Sequence, residues 1–158
     1  MRIEDVLELV RSLNGSLILA PVPGSGYPEI AWGDYFCYYS ADGTVPSTRQ
    51  PYATIITKDY PDDAGSRLDE PGRWRLNVRV GRDRLGELLA GPAAAGATVD
   101  FGATDVLVPH PVYARQGWIA VVLPAYRTEE TVRGLLRDAH RLAEVDAHRH
   151  AEEQADPT

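Results

Sequence analysis

The sequence has 158 residues, with a single cysteine, a single lysine and no long apolar run. The lone cysteine, Cys37, cannot form a disulfide or a cysteine-based zinc site within one chain. Because it lies in an apolar and aromatic stretch, we expect a buried, unreactive thiol. No apolar run approaches the about 20 residues that a membrane-spanning helix needs, and the acidic, amphipathic N-terminus does not resemble a signal peptide. We therefore expect a cytoplasmic protein without membrane association.

Positive charge is also scarce. Lysine and arginine together number 16 against 23 acidic residues, which gives a formal net charge of −7 and a pI near 5.0. Nucleic-acid-binding proteins usually present a basic face, so the composition argues against nucleic acid as a partner. The hydrophobic and charged fractions are those of one globular domain. We expect that domain over residues 1–145, followed by a small, charged and aperiodic tail, residues 146–158, that frays.

The hydrophobic pattern predicts helices at both ends of the chain and strands between them. Helical spacing covers residues 2–13 and the stretch that follows Thr128, and Gly81 is a candidate cap for a short third helix. The most strand-like segment, residues 52–58, is β-branched and apolar, which is typical of a central strand buried on both faces. Short links between successive strands leave no room for crossover helices. The sequence therefore predicts an α+β domain, a mainly antiparallel sheet with helices packed on one face.

Lys58 and Asp59 stand at the end of this central strand. Lys58, as the only lysine, is a candidate to bind an anion at the rim of a site or to act as a group with a shifted pKa. The structural alternative is a surface lysine that pairs with one of the many nearby acids. The loop acids that follow have no calcium-loop spacing, and the histidines near the C-terminus lack the spacing of a zinc pair. We therefore predict no metal site and no cofactor.

Two later segments carry further candidates. His110 lies between two prolines, which fix its backbone, so its imidazole is a candidate base or hydrogen-bonding contact. The structural alternative is a histidine that hydrogen-bonds across its loop and anchors that loop to the sheet. Asn77 and Arg79 alternate with apolar residues in a strand that we expect to be half-exposed. They would form an anion-binding floor if their side faced Lys58, and they are ordinary exposed strand residues if it faces water. Tyr113 and Trp118 are candidate walls for a flat ligand, although core packing is the usual role of such aromatics.

Four segments carry a resemblance to a known family. They are residues 31–34, 53–61, 76–81 and 108–118. Through them the chain resembles an actinobacterial family of unknown function, DUF6194, which implies a shared fold but no activity. The layout is more distantly similar to the YjbR/MmcQ family, small α+β domains proposed to bind DNA. Pro109 and Trp118 keep the spacing of that family's proline and tryptophan, whereas His110 does not fall on its histidine position.

These observations support three hypotheses. The first is a domain that binds a small polar or anionic ligand near the end of the central strand. Its predicted contacts are Lys58, Asp59, Asn77, His110, Tyr113 and Trp118. The second is a small enzyme that uses Lys58 or His110 as an acid–base group, which predicts a perturbed pKa in a cleft. The third is a YjbR-like module that binds nucleic acid or a protein partner.

Overall fold

A computed structural model of the protein describes residues 1–90 and 98–156. The helices in this part of the chain are α1 (Ile3–Ser12), α2 (Arg82–Leu89) and α3 (Glu129–Ala155). The strands are β1 (Ser16–Leu19), β2 (Tyr35–Tyr39), β3 (Ala53–Ile56), β4 (Arg75–Arg79), β5 (Val108–Pro109) and β6 (Trp118–Val122). Short 3₁₀ turns occupy Glu29–Ala31 and Ala114–Gln116. Residues 93–96, whose alanine- and glycine-rich sequence predicts a flexible connector, lie outside the described residues.

The strands form one sheet in the order β1-β2-β3-β4-β6-β5, and each neighbouring pair is antiparallel. β3 lies between β2 and β4, and all four of its residues are buried, as the apolar pattern predicted. β6 is inserted between β4 and β5, so the late part of the chain returns beside a strand from its middle. This arrangement confirms the predicted α+β domain with a mainly antiparallel sheet.

One face of the sheet carries the hydrophobic core and the helices. Alternate strand residues, among them Ile55 of β3 and Leu76 of β4, point to this face and are no more than 1 % exposed. They pack against Leu7 of α1 and Leu136 of α3, and each such burial contributes about 1.5–3 kcal/mol. Cys37 belongs to the same core, and burial raises the pKa of its thiol to about 12. The expected buried thiol is thus confirmed.

The opposite face of the sheet is covered by loop segments. A loop between β3 and β4 packs Leu68 against Ile56 and Val122 on this face. The segment that follows β5 covers the same face farther along the sheet, and His110 donates its backbone N–H to Trp118 O at 3.0 Å. Between these two segments the face stays open, and polar side chains of the strands lie at its floor.

The start of α3 is held by the carboxylate of Asp105, and the helix extends beyond the domain boundary predicted at residue 145. Asp105 accepts hydrogen bonds from the backbone N–H groups of Ala125, Arg127 and Thr128 and from the Thr128 hydroxyl, at 2.6–3.0 Å. α3 then continues to Ala155, through most of the segment expected as a tail. Fraying of residues 146–158 stays a prediction. Of the helices that the structure describes, none is long and apolar enough to span a membrane.

Candidate functional site

The face of the sheet opposite the helices is called the helix-free face below. Its open part is a cleft of about 930 Å³. Its floor comes from alternate residues of four strands, all of which point away from the hydrophobic core. The floor residues are Phe36, Tyr38, Thr54, Ile56, Arg75, Asn77, Arg79 and Trp118. Its sides come from the two covering segments, through Tyr60, Asp62 and Asp63 on one side and His110, Val112, Tyr113 and Gln116 on the other. The volume lies in the range of small-molecule sites.

Arg75 is the centre of the cleft floor. It is 1 % exposed, although the alternating pattern of β4 predicted a half-exposed strand. Its guanidinium donates to Asn77 Oδ1 at 2.8 Å, to both carboxylate oxygens of Asp63 at 3.0 and 2.6 Å, and to Ser66 Oγ at 2.9 Å. A buried arginine needs such partners, because an unpaired charge would be very costly there. The strand is buried because the loop that carries Asp63 and Ser66 folds over it.

The Arg75–Asp63 pair is a two-point ion pair in a partly enclosed site. The Asp63 side chain is 11 % exposed, whereas that of Arg75 is 1 % exposed. Burial acts to raise the pKa of the Asp63 carboxyl, but the hydrogen bonds and charge of Arg75 outweigh it and lower that pKa below its ordinary value. Asp63 therefore remains ionised, and two parallel N–H···O bonds hold the guanidinium in one orientation.

Asn77 links this network to the neighbouring strand. Its Oδ1 accepts from Arg75 Nε, which turns its amide nitrogen toward Thr54, and Nδ2 donates to Thr54 Oγ1 at 3.0 Å. Thr54 and Asn77 are directly paired across β3 and β4, so the side-chain bond reinforces the backbone register. Asn77 thus lies where the sequence placed it, on the cleft side of β4, but it is 1 % exposed and already holds two partners.

His110 lies at the wall of the cleft with one ring nitrogen committed to its own loop. The backbone N–H groups of Val112 and Tyr113 both donate to Nδ1, each at 3.0 Å. The ring is 4 % exposed, and Nε2 faces Arg75 Nη2 at 3.4 Å. Burial, followed by the charge of Arg75, lowers the pKa of His110 to about 4, although Asp63 acts in the opposite direction. His110 is therefore neutral at neutral pH, and its Nδ1 holds the backbone of its own loop.

The two aromatic candidates lie beside this histidine. The Tyr113 ring packs against His110 with a centroid distance of 4.9 Å, and Trp118 makes an edge contact at 6.4 Å. Tyr113 is 49 % exposed and Trp118 is 9 % exposed. Tyr113 is therefore available to a molecule in the cleft, while Trp118 forms part of a fixed floor.

Two arginines, Arg79 and Arg82, lie at the rim of the cleft. Within residues 1–90 and 98–156, neither Arg79 nor Arg82 forms a side-chain hydrogen bond or an ion pair. Arg79 ends β4 and Arg82 begins α2, and both are exposed. The positive end of the α2 dipole lies at the same rim and adds to the local positive potential. This rim is therefore suited to negatively charged groups.

Lys58 and Asp59 lie outside the lining of the cleft. Lys58 Nζ donates to Trp32 O at 2.7 Å and pairs with Asp34 Oδ1 at 3.0 Å. Asp59 Oδ1 accepts from the backbone N–H of Leu68 at 2.7 Å, which shapes the covering loop. Four of the six predicted contacts therefore lie together around the cleft, namely Asn77, His110, Tyr113 and Trp118. Lys58 and Asp59 instead form hydrogen bonds that fix the neighbouring loops at the edge of the cleft.

Asp34 is the fully buried carboxylate to which Lys58 is bound. It also accepts from the backbone N–H and hydroxyl of Thr57, at 2.8 and 2.7 Å, and from the Tyr60 hydroxyl at 2.6 Å. Burial, followed by this carboxylate, raises the pKa of Tyr60. The network holds the end of β3 and the start of the covering loop against β2, and Tyr60 extends from it into the cleft lining.

Arg75, the centre of the site, and its partner Asp63 were not predicted as site residues from the sequence. The sequence did contain an indication of this pair. Arg75 lies in an apolar strand, and that strand follows an acid-rich loop that could supply a carboxylate for a buried ion pair. Alternation alone could not separate Arg75 from the exposed Arg79. Among the described residues, three or more metal-ligating side chains do not converge at any point.

The fold and the cleft define a small α+β domain with a polar, arginine-centred site on the helix-free face of its sheet. The chain belongs to a family of unknown function, DUF6194, whose model matches residues 1–153. In comparisons with curated proteins and with solved structures, nothing matches the chain.

Proposed function

We propose that this domain binds a small anionic ligand with a flat or apolar part in the cleft on the helix-free face. The observation that carries the proposal is the convergence of buried Arg75 and His110 with the unpartnered rim arginines Arg79 and Arg82 in one concave site. Binding sites commonly combine a rigid floor with a few convergent polar groups. Here the sheet supplies the floor and the two covering segments supply the walls.

The charge distribution favours an anion. The whole chain carries a formal net charge of −7, yet the cleft lining contains three arginines against two aspartates. One of these aspartates, Asp63, is neutralised by Arg75. A positive site on an acidic protein attracts small anions while the rest of the surface repels long polyanions such as nucleic acids.

The aromatic lining favours a ligand that is not purely inorganic. Phe36, Tyr38 and Tyr60 line the cleft together with Tyr113 and Trp118. Aromatic faces bind flat or apolar groups through buried area and stacking. A ligand that combines an anionic group with a flat ring would therefore contact both the arginines and the aromatic walls.

Binding receives more support from the geometry than acid–base catalysis by Lys58 or His110. Nδ1 of His110 accepts two backbone N–H groups, so its lone pair is committed to the loop. The Lys58 ammonium is held by Asp34 and Trp32 O and does not line the cleft. A general base needs a free lone pair within reach of a substrate proton.

A thermal-shift screen with anionic, neutral and cationic metabolites tests the proposal. At a hundredfold excess over Kd, a ligand adds about 2.7 kcal/mol of stability and raises the Tm by roughly 5–10 °C. We expect the hits to be anions, and we expect the Arg79→Gln, Arg82→Gln double variant to weaken them about tenfold, through lost charge-assisted contacts.

The Arg137→Gln, Arg141→Gln double variant is the matched control. Arg137 and Arg141 are exposed arginines of α3 outside the cleft lining, so both double variants remove two positive charges but only the one at the rim affects the site. If no metabolite stabilises the protein, or if the hits bind the rim double variant as tightly as they bind the control, the proposal is wrong.

A further inference from the structure

The His110 ring receives more N–H donors than a neutral imidazole can accept. Two backbone N–H groups, those of Val112 and Tyr113, donate to Nδ1 at 3.0 Å. A third donor, Nη2 of Arg75, faces Nε2 at 3.4 Å. A neutral imidazole has one acceptor nitrogen and one N–H group, and an arginine side chain has no acceptor. At one of the two ring nitrogens, the N–H group of the ring therefore faces another N–H group, and no hydrogen bond forms there.

The geometry identifies Nε2 as the protonated nitrogen. A proton on Nδ1 would oppose two hydrogen bonds of 3.0 Å and leave two partly buried backbone N–H groups without this acceptor. A proton on Nε2 opposes only the longer contact to Arg75. Burial and the charge of Arg75 also lower the pKa of His110 to about 4, so the doubly protonated form is not populated at neutral pH.

The consequence is a pair of N–H groups at the wall of the cleft, Nε2–H of His110 and the second N–H of Arg75 Nη2, for which the described residues provide no acceptor. The first N–H of Arg75 Nη2 donates to Asp63 Oδ2 at 2.6 Å, so only its second N–H belongs to this pair. His110 is 4 % exposed and Arg75 is 1 % exposed, yet both line the cleft. One oxygen that lies about 2.9 Å from each nitrogen would accept from both.

We infer that His110 Nε2 and Arg75 Nη2 together form the binding point for an oxyanion oxygen, a carboxylate or phosphate oxygen of the bound molecule. The inference rests on the proposed function and narrows it, because it assigns the anionic group of the ligand to the cleft wall and leaves the flat part to the aromatic residues. An oxyanion is favoured over a neutral carbonyl because one of the two donors is a guanidinium.

His110→Asn is the variant that isolates this role. Asparagine side-chain oxygen accepts from the backbone N–H groups two and three residues ahead, as it does at helix caps and in Asx turns. The variant therefore keeps the loop contact made by Nδ1 and removes the Nε2–H donor, because the amide nitrogen of the shorter side chain lies near the Cδ2 position of the ring and does not extend to that of Nε2. His110→Ala removes both and serves as the comparison for loop damage.

The experiment is a ¹H–¹⁵N NMR titration of the histidine side chains with sodium phosphate, sodium acetate and methylammonium chloride. We expect free His110 to show the tautomer with its proton on Nε2. We expect phosphate or acetate to shift its Nε2 resonance, and methylammonium to leave it unchanged. Affinity for the anion should fall by at least about tenfold in His110→Asn. The two sodium salts distinguish a phosphate site from a carboxylate site.

Three results would overturn the inference. They are a proton on Nδ1, no response of Nε2 to either anion, and equal anion affinity in His110→Asn and the wild type. The rim variants separate this outcome from failure of the proposed function. A ligand whose affinity depends on Arg79 and Arg82 but not on His110 would leave the cleft as the binding site and place its anionic group elsewhere.

Discussion

Acidification should destabilise this protein partly through His110, and the structure sets the size of the effect. The pKa of His110 is lowered to about 4 in the folded protein, against an ordinary value of 6.5. Its contribution to stability is therefore fully present above pH 6.5 and is lost as the pH falls toward 4, because the unfolded chain takes up the proton first. At about 1.4 kcal/mol per pKa unit, the loss is at most roughly 3 kcal/mol.

Urea denaturation followed by tryptophan fluorescence, repeated from about pH 7 to about pH 4, measures this loss. His110→Asn is the control, because it keeps the loop contact but has no proton to take up. The free energy of unfolding of the wild type should fall by up to about 3 kcal/mol more than that of the variant over this range. Parallel stability curves for the two proteins would show that His110 titrates normally, and the argument from its buried contacts with Arg75 and the loop would be wrong.

Three further predictions concern the elements around the cleft. Arg75→Met should lower the free energy of unfolding by about 3–5 kcal/mol, because Asp63 loses its cation; a loss below about 1 kcal/mol in urea denaturation would contradict this. Gly117→Ala should destabilise by more than about 1 kcal/mol, since φ is 85° and a Cβ would lie 2.6 Å from the Gly81 backbone; an unchanged Tm would refute the strain. Asp105→Ala should cost about 2 kcal/mol through loss of its hydrogen bonds at the start of α3, and a variant with wild-type thermal stability would rule this role out.

The sequence alone was sufficient for the parts of this fold that depend on local pattern. The helical spacing of residues 2–13 predicted α1, which begins at Ile3 and ends at Ser12. The β-branched run at residues 52–58 predicted the central strand β3, and short links predicted antiparallel pairing. Helix and strand periods repeat every few residues, so neighbouring residues carry that information. Asn77, His110, Tyr113 and Trp118 were recognisable as candidates for the same reason, since each stands at a distinctive local position.

Only the tertiary structure decided how these candidates are used. Alternation in β4 indicated two faces but did not show that a loop would bury Arg75, whose hydrogen-bond partners Asp63 and Ser66 lie 12 and 9 residues away. It also did not show that Lys58 would be held by Asp34, 24 residues earlier, at the edge of the cleft. Burial and ion pairing depend on which distant segments the order of strands in the sheet brings together. The residues next to a given residue along the chain contain little information about those long-range contacts.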